Sequence, residues 1–186
     1  IETVNSLGVR RRTTYDAEGR VTYEGYPFSG AADKGTAVMY DPLGRVTRRT
    51  NPDGTFASRA YGPGTVTLTD EDGHPTTQTW TAAGDPDQAR LTALVAAGQS
   101  WSYTYHGLGQ LATVQAPDTL LRTWQYTNWN RLASESHPES GTVTYTNYDN
   151  AGHLLTKTDA AGTTFQYGYD GNDRLYRIAA GAHSLF

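Results

Sequence analysis

Polar and apolar residues alternate over short stretches of this chain, and turn-forming residues cut the alternation at close intervals. Gln99, Trp101, Tyr103 and Tyr105 fall on one side of a pleat, with Ser100, Ser102 and Thr104 on the other. Thr163, Phe165, Tyr167 and Tyr169 repeat the pattern against Thr164, Gln166 and Gly168. A period of two with one aromatic side predicts half-buried β-strands. Between such runs stand short clusters such as Asp149-Asn150-Ala151-Gly152 and Asp159-Ala160-Ala161-Gly162. Aspartate opens a turn because its carboxylate accepts a backbone hydrogen bond from two residues on. Glycine closes it where φ must be positive, as in a type I turn with a G1 bulge. The pattern predicts strands over Thr142–Tyr148, His153–Thr158 and Thr163–Tyr169, joined as an antiparallel meander.

The strands recur in register. Aromatic anchors stand at Tyr15, Tyr40, Tyr61, Trp80, Tyr105, Tyr126, Tyr148 and Tyr169, at steps of 19 to 25 residues. A glycine precedes six of the anchors by seven residues, at Gly8, Gly54, Gly73, Gly98, Gly141 and Gly162. Another follows five of them by four residues, at Gly19, Gly44, Gly84, Gly109 and Gly152. An aliphatic residue lies six after the anchor at Val21, Val46, Leu111, Leu132, Leu154 and Leu175. Three registers travelling together define a repeat, and residues 1–186 read as one array of about eight copies. One copy cannot stand alone. Burying an aromatic anchor gains about 1.5–3 kcal/mol, while ordering some 20 residues costs roughly 1–2 kcal/mol each. Neighbouring copies must therefore share strands, and the fold class expected is all-β, tandem antiparallel hairpins forming a continuous twisted sheet.

One stretch carries a competing helix signal. Asp85, Pro86 and Gln88 suit an N-cap, a first helical position and a capping-box partner ahead of Ala89–Ala97. The repeat register instead favours a widened turn followed by a strand. The other long step implies a loop within Gly25–Gly35.

Tyr15-Asp16-Ala17-Glu18-Gly19-Arg20-Val21 and Tyr40-Asp41-Pro42-Leu43-Gly44-Arg45-Val46 resemble the consensus of the Rhs/YD-repeat family. Tyr148-Asp149-Asn150-Ala151-Gly152-His153-Leu154 and Tyr169-Asp170-Gly171-Asn172-Asp173-Arg174-Leu175 are variants of it. Degenerate copies lie at Tyr61-Gly62-Pro63-Gly64, at Trp80 and at Tyr126-Thr127-Asn128-Trp129-Asn130-Arg131. The resemblance implies that Tyr15, Asp16, Gly19, Tyr40, Asp41, Gly44, Tyr148, Asp149, Gly152, Tyr169 and Asp170 define the repeat structurally. It further implies a segment of a hollow β-shell from a longer, secreted or surface-exposed bacterial protein. The implied partners are neighbouring repeats of the same polypeptide and an enclosed toxin domain. A self-cleavage motif of the encapsulating members is not matched after Tyr169. Asp41-Pro42-Leu43-Gly44 carries similar letters but reads as a turn inside a repeat.

Composition and charge remove several alternatives. The chain has no cysteine, which excludes disulfides, thiolate nucleophiles and cysteine–zinc sites. A net charge of −4, with basic residues clustered only as Arg10-Arg11-Arg12 and Arg48-Arg49, gives no nucleic-acid stripe. No apolar run approaches the roughly 18 residues of a membrane span. The five histidines sit in or beside turns without ligand spacing. Asp70-Glu71-Asp72-Gly73 lacks the remaining ligands of a calcium loop and reads as a turn. Gly107-Leu108-Gly109 is followed by no phosphate-binding lysine. The reading is therefore a non-enzyme with no cofactor and no metal. An alternative remains, an extracellular carbohydrate-binding or adhesion module. For it the aromatic stripes Trp101/Tyr103/Tyr105 and Phe165/Tyr167/Tyr169 would stack on sugar rings. Gly152→Val is expected to destabilise more than His153→Ala, with His153 taken as a surface strand position.

Overall fold

A computed structural model describes residues 1–30, 33–82, 84–181 and 183–184. It divides into two compact units, Ile1–Gln99 and Ser100–Phe186.

The first unit is a run of strands, each antiparallel to its successor. They are β1 (Glu2–Val4), β2 (Arg10–Tyr15), β3 (Val21–Gly25), β4 (Gly35–Tyr40) and β5 (Val46–Thr50). β6 (Phe56–Gly62), β7 (Thr65–Thr69), β8 (Pro75–Thr81) and β9 (Arg90–Ala96) complete it. The second unit repeats the meander. Its strands are β10 (Gln99–Tyr105, its first residue belonging to the first unit), β11 (Leu111–Gln115), β12 (Leu121–Tyr126) and β13 (Leu132–His137). β14 (Gly141–Tyr148), β15 (Leu154–Thr158), β16 (Thr164–Tyr169), β17 (Leu175–Ala180) and β18 (His183–Ser184) follow. Threonine, valine and aromatic residues fill these strands, as suits a pleated surface. The fold class is all-β, and no α-helix occurs among the described residues.

The capping signal at Asp85 has a local reality. The Asp85 carbonyl accepts the Gln88 N–H at 3.0 Å, and its carboxylate accepts the Asp87 N–H at 3.0 Å. This makes a single 3₁₀ turn, Pro86–Gln88. Pairing with β8 then takes Arg90–Ala96 into a strand. The first long step is likewise spent on a loop. Gly25 and Gly35 face each other across β3 and β4, and Tyr26 donates its N–H to the Lys34 carbonyl. A Cβ at Gly35 would lie 2.3 Å from the Glu24 carbonyl oxygen, so only glycine fits this close approach.

The sheets carry very little interior. Among described side chains Ala116, Ala179 and Thr36 are buried, and none of any size is fully enclosed. Most strand aromatics are half-buried, while Tyr15, Phe56, Trp80 and Tyr176 are exposed. Cross-strand hydroxyl pairs line other positions, such as Thr104–Thr113 at 2.7 Å and Ser136–Thr142 at 2.9 Å. Order rests on backbone ladders, cross-strand pairs and the turns.

Three boundaries differ from the sequence reading, one of them that of β14, which starts at Gly141 rather than Thr142. β15 starts at Leu154 rather than His153, and β16 at Thr164 rather than Thr163. Both residues are the last of their turns, with N–H groups held by Asp149 and Asp159 respectively.

Candidate functional site

The turn after an anchor tyrosine is built the same way in four places. The aspartate N–H donates to the carbonyl four residues on, from Asp16 to Arg20, Asp41 to Arg45, Asp149 to His153 and Asp170 to Arg174, at 2.9–3.0 Å. The fourth residue after the anchor donates back to the aspartate carbonyl, from Gly19, Gly44, Gly152 and Asp173. These residues hold φ of 82°, 80°, 101° and 61°, the left-handed region that a G1 bulge requires. The aspartate side chain finishes the turn. Oδ1 of Asp41 accepts the N–H groups of Leu43 and Arg45, each at 2.9 Å. Oδ1 of Asp149 accepts those of Gly152 and His153 at 2.8 and 2.9 Å.

The remaining carboxylate oxygen holds a cation. Arg20 Nε lies 2.6 Å from Asp16 Oδ2, Arg45 Nη2 2.7 Å from Asp41 Oδ2 and Arg174 Nη2 2.7 Å from Asp170 Oδ2. That cation covers the next anchor. The Arg20 guanidinium carbon sits 4.7 Å from the Tyr40 ring centre, and that of Arg45 4.1 Å from Tyr61. The covered tyrosine then reaches back across the sheet. Tyr40 donates its hydroxyl to the Val21 carbonyl at 2.8 Å, Tyr61 to Val46 at 3.0 Å and Tyr148 to Leu132 at 2.6 Å. The repeats anchored at Tyr15 and Tyr40 thus each supply an acid and a cation, and the successor supplies the ring and hydroxyl that close the clamp.

The electrostatics follow from this geometry. Burial works to raise the Asp16 and Asp41 carboxyls, but hydrogen bonds from Arg20 and Arg45 outweigh it and hold both below the usual carboxylate range. The His153 ring does the same for Asp149, and Arg174 for Asp170. Burial pushes the Tyr148 hydroxyl up, so it stays a hydrogen-bond donor.

At His153 the geometry corrects the sequence reading. The residue is half-buried and takes the arginine's place, with Nδ1 2.8 Å from Asp149 Oδ2. Its ring stacks on Tyr169 at 4.5 Å and 22°. It is part of the clamp, not a surface strand position, because strand register sets its ring over the next anchor, as it sets Arg20 over Tyr40, Arg45 over Tyr61 and Arg131 over Tyr148. Sequence reasoning quoted the arginine of the motif without assigning it work. The available signal was the aspartate–cation spacing of four, repeated at 16/20, 41/45, 149/153 and 170/174.

Of the degenerate copies, the one at Tyr126 keeps the backbone of the motif turn and the one at Tyr61 does not. At Thr127–Arg131 the Asn130 N–H donates to the Thr127 carbonyl at 2.9 Å, and Asn130 takes a φ of 68°. At Tyr61 the connection shrinks to a two-residue hairpin, with Gly62 opposite Thr65.

The anchors Tyr40, Tyr61, Tyr105, Tyr126, Tyr148 and Tyr169 are half-buried, while Tyr15 and Trp80 are 47% and 38% exposed. Trp101, Tyr103, Tyr105, Phe165, Tyr167 and Tyr169 are all half-buried within the sheet and form no exposed platform. Among the described residues no group of histidine and acidic side chains could hold a metal ion. Asp70 forms a turn, its Oδ1 accepting the Asp72 and His74 N–H groups. No helix among the described residues is long and apolar enough to cross a membrane.

These features have counterparts in known proteins. Residues 148–182 match the RHS repeat family. No curated protein sequence matches the chain. In shape it is similar to the crystal structure of TcdB2-TccC3, with a TM-score of 0.73 and 16% identity. That likeness covers 96% of this chain and 11% of the other. TcdB2-TccC3 without its hypervariable C-terminal region gives a TM-score of 0.71 at 16% identity, over 95% of this chain and 11% of that one. A Tc holotoxin pore of Photorhabdus luminescens gives 0.57 at 14%, over 98% and 11%. The chain therefore spans about a tenth of the length of the structures it resembles, and at these identities the likeness is one of fold.

Proposed function

Starting from an RHS repeat at 148–182 and a fold shared with Tc toxin shells, we propose that this chain is a wall segment of a bacterial RHS-repeat shell. The shell encloses or presents a toxin domain carried by a longer, secreted or surface-exposed protein. The role is architectural. One observation supports this above the others, namely that the repeats anchored at Tyr15, Tyr40 and Tyr148 each hold half of a clamp whose other half belongs to the successor. Arg20 covers Tyr40 and Arg45 covers Tyr61, so the array gains strength by extension and has no natural stopping point. At the last such turn Arg174 is bonded to Asp170 with its side chain 73% exposed.

The test uses the full-length gene product. A far longer run of these repeats should precede a C-terminal domain that resists protease in the intact protein. That domain should become sensitive once the shell is opened by mild denaturant. A C-terminal region digested at the same rate before and after opening would overturn the enclosure, and a full-length product with no further repeats would overturn the shell.

A further inference from the structure

The arginines of the first unit are matched unevenly. Arg10 meets Glu2, Arg11 meets Glu24, Arg12 meets Asp33, Arg20 meets Asp16 and Arg45 meets Asp41. Arg48 lays its guanidinium carbon 3.6 Å from the Phe56 ring centre. Arg49 and Arg59 differ from all of these. Both are exposed, and among the described residues no acid, ring or hydrogen-bond partner engages either guanidinium.

Strand register brings the two together. Arg49 of β5 lies opposite Ala57 of β6, and Arg59 stands two residues further along the same face. Such diagonal neighbours are about 7–8 Å apart, a span that long side chains bridge. Arg48 and Ser58, which oppose one another, take the other face. Arg59 in turn faces Leu68 of β7, and Leu68 faces Thr76 of β8. Arg49, Arg59 and Leu68 line one cleft of about 410 Å³ with Val46, Ala57 and Thr76. Asp70 and His74 also line it. The Asp70 carboxylate is engaged within its own turn, with Oδ1 accepting the Asp72 and His74 N–H groups and Oδ2 lying 3.3 Å from His74 Nδ1. Two unmatched positive charges thus stand beside an apolar floor.

We infer that this cleft binds a phosphate monoester with a small apolar body, its phosphoryl group between Arg49 and Arg59 and its body on Leu68, Val46 and Ala57. A phosphate monoester carries roughly 1.5 to 2 negative charges at neutral pH and three strong acceptor oxygens, which matches two guanidinium forks. A carboxylate satisfies one guanidinium and leaves the other without a counter-charge. A nucleic acid needs a basic stripe, and the arginines flanking this pair are neutralised or on the other face. The inference does not rest on the shell reading, because it uses side chains of four adjacent strands.

The full chain, titrated with phenyl phosphate, inorganic phosphate and benzoate and followed by NMR chemical shifts, tests it. Saturable binding of phenyl phosphate with a Kd on the order of 1 mM is expected. Inorganic phosphate should bind less tightly because it leaves Leu68 uncovered, and benzoate at least about tenfold less tightly. Arg49→Gln and Arg59→Gln should each weaken phenyl phosphate at least about tenfold. Their melting temperatures should not change, since neither guanidinium supports the fold. Arg177→Gln, which removes an exposed arginine from β17, should leave the binding intact. Co-sedimentation with phosphatidic acid vesicles would assign the phosphate to a lipid headgroup, and its absence would assign it to a soluble ester. No saturation by phenyl phosphate, equal binding of benzoate or inorganic phosphate, or equal losses in Arg177→Gln and Arg49→Gln would each overturn the proposal.

Discussion

In the first unit the turn Asp41–Arg45 locks a carboxylate to a guanidinium above Tyr61, and a tyrosine hydroxyl closes the lock on Val46. In the second unit the turn Thr127–Arg131 has lost the carboxylate, and its guanidinium reaches instead to the Asp149 carbonyl in the next turn. Even so, Tyr148 still donates to Leu132, as Tyr61 does to Val46. The neighbouring turn in the second unit departs again, with His153 in the cation's place. What all of them share is backbone: a positive φ at one position and a reciprocal pair of N–H bonds around it. The side-chain lock can be exchanged, but the turn geometry cannot.

Acid should separate the two turns most. The Asp16, Asp41, Asp149 and Asp170 carboxyls are held below their ordinary value, which is about 3.9 in an unfolded chain. Groups lowered in this way stabilise the fold above that value. The unfolded state binds more protons below it, so stability falls as pH drops from about 4 through the folded values. Denaturant melts at pH 7, 4 and 3 should show this loss. It should be smaller in Asp41→Asn and larger in Thr127→Asp, and identical profiles for the three proteins would mean that the carboxylates do not carry the lock.

The second effect bears on what the turns share. Gly44 and Gly152 hold φ of 80° and 101°, where valine is strained by about 1–3 kcal/mol. Gly44→Val and Gly152→Val should therefore lower the melting temperature by similar amounts, although one turn uses arginine and the other histidine. His153→Ala, which removes a ring stacked on Tyr169, should also lower it. A harmless Gly152→Val would show that the second unit does not use the G1 turn.

Smaller still is the tyrosine hydroxyl. Tyr61→Phe and Tyr148→Phe each remove one hydrogen bond to a carbonyl, worth about 0.5–1.5 kcal/mol. Their equality in thermal melts would place the hydroxyl with the shared backbone features, and a null effect of Tyr148→Phe would place it with the exchangeable ones. The smallest change has the opposite sign. Thr119 closes a turn with a φ of 66°, costly for a β-branched residue, so Thr119→Gly should stabilise by about 1 kcal/mol or less.

The strands and turns were legible because Asp–x–x–Gly clusters and aromatic residues recur at fixed offsets, and each offset has a local cause. The 3₁₀ turn at Pro86–Gln88 shows where such local signals stop. A correct cap was present, yet pairing of Arg90–Ala96 with β8 decided the outcome. The clamp was less legible because its parts lie 16 to 20 residues apart, as Arg45 and Tyr61 or Arg20 and Tyr40 do. Only strand register brings them together. His153 was misplaced for that reason, since from its neighbours alone it reads as the start of a strand.

The scarcity of buried side chains has a calorimetric consequence. Unfolding an ordinary domain raises the heat capacity by about 12–15 cal/mol/K per residue, chiefly through apolar surface newly hydrated. Here Ala116 and Ala179 are the buried apolar side chains among the described residues. The increment per residue should fall below that range, giving a stability curve that is broad and shallow in temperature. Cold then weakens such a sheet less than it weakens a globule with a large core.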